Sequence, residues 1–168
     1  MPHARIAVVA IFLIVLLASV GSASAQGIGL YGWGPRVGVA DDPDQGIVGL
    51  HADLGEFVEH LRFQPAIEAG FGDDATIVSL QLPVHYRFPL AGGFTPYAGG
   101  GVILAFIDLD DEPGRGRRDD DSETELAPVG VGGLEWSLGR ASDLFFELNV
   151  MGGDTHDAKL LVGWMFHR

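Results

Sequence analysis

The 168 residues include no cysteine, so no disulfide, thiol nucleophile or cysteine metal site is available. Basic residues are scarce: ten Lys and Arg stand against 23 Asp and Glu, a formal net charge of −13. That balance argues against nucleic acid as a partner. Long apolar runs are scarce as well. Beyond the first 26 residues no segment is apolar enough for a transmembrane helix, and none shows a convincing amphipathic helical period. If residues 26–168 cross a membrane, they must do so as a closed β-barrel, because only helices and closed barrels satisfy every backbone group in lipid. Phosphate-loop, haem and nucleotide motifs are missing too.

What is present begins with MPHARIAVVAIFLIVLLASVGSASAQ. Arg5 and the terminal amine supply positive charge, an apolar run follows from Ile6 to about Val20, and Ala23-Ser24-Ala25 supplies small residues for a signal peptidase. The run is shorter than the ~20 residues of a spanning helix. The expectation is a secretory signal peptide over 1–25, cleaved before Gln26, and a single domain over 26–168.

Eight strand-like runs with turn chemistry between them follow: 29–40, 46–55, 61–72, 77–90, 94–107, 124–136, 143–150 and 158–167. Residues 56–60 read as a connection, the one place for a short helical turn. Strands of about ten residues suit the smallest transmembrane barrels, which need about 9–11 per strand. Soluble eight-stranded barrels fit the same count, so the count alone leaves both open.

The stretch IVSLQLPVHYRFPL poses the choice. Val78, Leu80, Leu82, Val84, Tyr86 and Phe88 fall on one face, and Ser79, Gln81, His85 and Arg87 on the other. Three asymmetries decide which face is inside. First, the polar faces are studded with small residues, among them Gly32, Gly34, Gly38, Gly49, Gly70, Gly99, Gly101 and Gly163. Such crowding suits the lumen of an eight-stranded barrel, which is only just wide enough for side chains. Second, sixteen of the 23 acidic residues fall in or beside alternate connections, so one rim is strongly negative and also carries the longest loop. Outer-membrane barrels have short periplasmic turns and longer outside loops, so the acidic rim is expected to be extracellular. Third, Tyr31, Trp33, Phe63, Tyr86, Phe88, Phe94, Tyr97, Trp136, Phe145, Phe146, Trp164 and Phe166 lie toward the opposite rim, as an interfacial aromatic girdle would. The fold class expected is therefore all-β, an eight-stranded antiparallel up-and-down transmembrane β-barrel.

Thr95-Pro96-Tyr97-Ala98-Gly99-Gly100-Gly101-Val102, Gly130-Val131-Gly132-Gly133-Leu134-Glu135-Trp136 and the alternating stretch Leu160 to Phe166 resemble the small outer-membrane β-barrel family, the OmpA/OmpX/opacity-like eight-stranded proteins. The likeness runs over 26–168 and is one of pattern. It implies a location in the bacterial outer membrane of a Gram-negative cell envelope and a structural or surface-interaction role. The chain departs from the family in showing no extra domain for binding peptidoglycan, so a cell-wall anchoring role is not expected. Members usually end on an aromatic residue, whereas His167 and Arg168 follow Phe166 here. Pro35, Pro65, Pro83, Pro96 and Pro128 fall inside the expected strands, where bulges or strand ends are expected because proline cannot donate to a ladder.

Within the lumen Arg36, Arg62, Arg87 and Lys159 face Asp53, Glu68, Glu135 and Glu147, with His51 and His85 nearby. Buried charges must pair, so these residues are expected to plug the lumen with side chains rather than to line a channel. In the 108–125 loop Asp108, Asp110, Glu112 and Asp119 alternate as calcium ligands would, yet the EF-hand glycine and glutamate are not in place and Arg115, Arg117 and Arg118 compete. A mobile solvated loop is the simpler reading. The partners expected are outer-membrane lipid and lipopolysaccharide, with divalent cations bridging the acidic loops to lipid phosphates. No oligomeric state follows. For an enzyme, Ser79 and His85 are too far apart along one strand, and Thr155, His156 and Asp157 are neighbours on a loop. No catalytic, cofactor-binding or metal-ligating residue is nominated, and no cofactor. The competing functions are a lipid-modifying outer-membrane enzyme and a secreted, lipocalin-like soluble barrel carrying an apolar ligand. The latter requires Val78, Leu80, Leu82 and Val84 to point inward.

Overall fold

The computed structural model describes residues 28–41, 44–72, 75–90, 92–109, 122–152 and 158–168. The signal-peptide segment lies outside them. The strands are β1 (Ile28–Asp41), β2 (Gln45–Val58), β3 (Leu61–Phe63), β4 (Ala66–Phe71), β5 (Ala75–Arg87), β6 (Phe94–Leu109), β7 (Ser122–Ser137), β8 (Ser142–Met151) and β9 (Ala158–His167). Among the described residues there is no helix. β3 and β4 are two pieces of one crossing, interrupted at Gln64 and Pro65 and paired on both sides to β2 and β5. The sheet therefore makes eight antiparallel crossings, and β1 pairs with β9 to close it. Closure leaves no strand edge.

The period of two decides which way each residue points. On β5, Ser79, Gln81 and His85 are buried inside while Val78 and Tyr86, and Phe88 just past the strand end, are exposed on the outer wall. On β8, Glu147 and Asn149 are buried while Phe146, Leu148 and Val150 are exposed. Along the wall between the rims, no described outward-facing side chain is charged. A water-exposed surface of this kind would be a very large apolar patch for a soluble monomer. The fold is that of a transmembrane barrel, and the lipocalin-like orientation is excluded.

Two sequence expectations need correction. Residues 56–58 extend β2 rather than forming a helical turn, and the chain reverses at Glu59 and His60, where His60 takes φ 67°. Tyr97 and Phe145 do not belong to the aromatic girdle: they are buried in the lumen at 4% and 3% exposure. Each ring lies across the ladder from a glycine, Tyr97 over Gly133 and Phe145 over Gly163. A Cβ at either glycine would run into the ring. The large and the small residue fill the narrow interior together. The remaining girdle residues Tyr31, Trp33, Tyr86, Phe88, Phe94, Trp136, Phe146, Trp164 and Phe166 are exposed, and Phe63 is half-buried. Most of them gather toward the rim that carries Ile28 and Arg168, here called the terminal rim.

The prolines follow one rule. In an antiparallel ladder the N–H and C=O of a residue point the same way. The Pro65 carbonyl accepts from Ala52, at the β3–β4 interruption. The Pro83 carbonyl accepts from Gln64, so its missing donor faces that same interruption, and β5 runs on unbroken. The Pro96 and Pro128 carbonyls accept from Phe88 and Gly152, each just beyond the last paired residue of a strand. Pro35 sits where the β1–β9 register skips from Trp33 to Arg36. Each proline thus removes a donor only where the ladder has ended or opened. Of the breaks expected at the five prolines only that at Pro65 interrupts its own strand; Pro35, Pro83, Pro96 and Pro128 lie inside β1, β5, β6 and β7, each with its missing donor toward a neighbour whose pairing has ended or is open there.

Candidate functional site

The lumen is where the polar side chains meet. Arg36 projects from the middle of β1 and reaches two strands, with Nε 3.0 Å from Glu68 and Nη2 donating to Glu147 at 2.5 Å. Lys159 of β9 lies 3.0 Å from Glu68, and Gln81 Nε2 donates to the same carboxylate at 2.7 Å. Tyr97 donates its hydroxyl to Glu147 at 2.9 Å. The Arg36 guanidinium also lies over the Phe145 ring, 5.8 Å from its centroid. Nearer the terminal rim, Arg62 lies 3.4 Å from Asp53 and 3.1 Å from Glu135, and Arg87 pairs with the other oxygen of Glu135.

Two groups of four result, each with two cations and two anions. All eight residues anticipated for the lumen are there. Arg36, Asp53, Arg62, Glu68, Glu135, Glu147 and Lys159 are buried, and Arg87 at the terminal mouth is half-buried. Pairing offsets a desolvation penalty of several kcal/mol per ion. The chain from β1 through β4, β8 and β6 also ties opposite walls together. Not all of the interior is polar, however. Ile103, Ala127, Val129, Val131 and Met151 make an apolar seam with Tyr97, and Ala40, Ile47 and Leu161 make a second.

One polar cluster escapes sequence reasoning. At the terminal rim Ser137 Oγ donates to Asp143 at 2.7 Å, and His167 Nε2 lies 2.7 Å from the other oxygen of that carboxylate. The carboxylate stands between the hydroxyl and the imidazole. A nucleophilic serine needs the imidazole itself as its base, so this order does not activate the hydroxyl. The cluster fastens the end of β9, whose His167 and Arg168 amides donate to Ala141 and Tyr31. Those two residues continue the barrel rather than trailing from it. Among the described residues no group of three or more His, Asp or Glu is placed to hold a metal ion. The calcium candidates Asp110, Glu112 and Asp119, and Thr155, His156 and Asp157, lie outside the described residues, as does the side chain of Asp108.

No protein-family model matches the chain, and no curated protein sequence does. Solved structures do. Neisserial surface protein A (NspA) is 17% identical with a TM-score of 0.62, over 82% of this chain and 95% of that one. The N-terminal β-barrel domain of Pseudomonas aeruginosa OprF is 14% identical with a TM-score of 0.65, over 85% and 100%. The chain has the fold of the small outer-membrane β-barrels. Yersinia pestis Ail, an outer-membrane protein, is similar at 10% identity and a TM-score of 0.51, over 82% and 99%. At such identities the likeness is one of fold, and it agrees with the OmpA-like expectation. The barrel architecture comes from the alternation along each strand.

Proposed function

We propose that the protein is exported by residues 1–25 and resides in the bacterial outer membrane as a structural or surface-interaction barrel. The observation that carries this is the division of faces: an outer wall without charge and an interior of balanced ion pairs. Support comes from the structural relatives, one of which is called a surface protein and another an attachment invasion locus protein. In this reading the two ion-paired groups close the lumen to ions, since eight strands leave no continuous aqueous channel. The acidic connections face outward and meet lipopolysaccharide and external ligands, with divalent cations bridging carboxylates to lipid phosphates.

Envelope fractionation tests the location, and gel migration of unboiled against boiled protein tests the barrel. A faster, heat-modifiable band in the outer-membrane fraction is expected. A protein recovered in the soluble fraction would sink the proposal. Planar-bilayer recordings test the closed lumen: no stepwise conductance is expected, and steady channel openings would refute closure.

A further inference from the structure

The outer wall is notched just below the acidic rim, where β1, β9 and β8 run side by side. Val39 of β1 lies across from Leu160 of β9, and Leu160 lies across from Leu148 of β8. The three side chains are exposed and form an apolar row. The next row toward the acidic rim is Asp41, Ala158 and Val150. Its middle member is small. A groove of about 300 Å³ opens there, lined by Val39, Leu148, Leu160 and Ala158, with Asp41 and Asp44 at its rim end. That volume falls at the lower end of the range for small-molecule sites. The charge of the groove is one-sided. Among the residues that line it Lys159 is the only cation, and its ammonium is turned into the lumen, 3.0 Å from Glu68. Among the described residues Asp41 and Asp44 have no cationic partner.

We propose that this groove holds one lipid of the outer leaflet, with its acyl chain on Val39, Leu148 and Leu160 and an ammonium group of its head beside Asp41 and Asp44. The direction of the groove suits a lipid in a bilayer: the apolar part lies toward the middle of the wall and the charged part at the rim. The sign of the head follows from the two uncompensated carboxylates, which repel a bare phosphate. The kind of cation follows from the ligand count. A calcium ion would call for about 6–8 oxygens, and among the described residues no group of three or more His, Asp or Glu is placed to hold a metal. An ammonium asks only for acceptors for its N–H bonds, and its hydrogen bonds to carboxylates are charge-assisted. The site rests on the reading that the acidic rim faces outward in an outer membrane. It adds a headgroup preference at one place on the wall.

The test is methyl NMR of the full chain folded in phosphatidylglycerol nanodiscs, to which phosphatidylethanolamine is added. Both leaflets of the disc carry the probe, so the site is read whichever way the barrel faces. The methyls of Val39, Leu148 and Leu160 should shift saturably, while those of Leu80 and Val84 on β5, across the barrel, stay in place. Asp41→Asn with Asp44→Asn should raise the half-saturating fraction of phosphatidylethanolamine by up to about fivefold per carboxylate. Ala158→Leu fills the notch, keeps both carboxylates and should abolish saturation. The heat-modifiable band confirms the barrel for each variant; where a variant lacks it, the selectivity of the unaltered protein decides alone. A shift spread evenly around the wall overturns the site, and an unchanged half-saturation in the folded double variant overturns the ammonium. Saturation by magnesium in phosphatidylglycerol alone overturns it in favour of a bridged phosphate. Shifts that follow the number of barrels per disc overturn the lipid in favour of a second copy. Recovery of the protein in the soluble fraction would instead refute the outer-membrane reading, whereas a folded outer-membrane barrel without the selective shift refutes the groove alone.

Discussion

Arg36→Met is the sharpest perturbation of the lumen. Arg36 is 3% exposed and serves two carboxylates at once, Glu68 at 3.0 Å and Glu147 at 2.5 Å. After its removal Glu68 keeps Lys159 and Gln81, but among the described residues Glu147 keeps the Tyr97 hydroxyl and no ion-pair partner. The group then holds one cation and two anions, and the uncompensated charge falls on Glu147. Breaking a buried pair from one side costs about 3–5 kcal/mol, because the remaining ion stays desolvated. At about 1.4 kcal/mol per factor of ten, the folding constant should fall by roughly two to four orders of magnitude. Arg36→Met with Glu147→Leu restores neutrality and should recover most of the loss, since an apolar replacement of a buried pair is often neutral. The assay is equilibrium unfolding in urea from lipid vesicles, scored by the fraction of protein in the heat-modifiable band. A single substitution costing under about 1 kcal/mol, the value of a solvent-exposed pair, would refute the argument. So would a double substitution whose cost is the sum of the two singles, because residues in contact must couple.

The other predictions concern walls and fillers. Leu148→Lys puts a charge on the outer wall and should cost up to about 2–4 kcal/mol, depending on its depth in the bilayer, in the same unfolding assay; a neutral result would mean that this wall does not meet lipid. Gly163→Ala drives a methyl into the Phe145 ring and should cost about 1–3 kcal/mol, part of it recovered by adding Phe145→Leu. Gly132→Ala meets nothing within 4 Å and should leave the unfolding midpoint unchanged or slightly raised; a clear loss would show that something outside this chain occupies the space.

The sequence makes the crossings and their faces readable because a period of two is local. Val78 and Ser79 take opposite sides whatever their neighbours do. The four-and-four set of lumen charges follows from the same parity. What is not local is harder to see. Tyr97 and Phe145 look like girdle residues from their distance to the strand end, and only parity with Gly99 and Glu147 turns them inward. Their reason for pointing inward is a glycine on another strand, so no window of sequence contains it. Pro83 shows the same limit. It looks like a break in its own strand, while the break lies across the ladder at Gln64 and Pro65. The Ser137–Asp143–His167 cluster joins the ends of three strands, β7, β8 and β9, and His167 comes beside the other two only when the register is known, so no spacing rule announces it.

All three tryptophans, Trp33, Trp136 and Trp164, stand on the outer wall toward the terminal rim. Their intrinsic emission is consequently a gauge of one boundary alone. It reports the polarity met by that rim and the moment at which that rim comes to rest, and it is silent about the far rim. A folding experiment followed by this emission would time the settling of one end of the barrel, and a label on the far rim would be required to time the other.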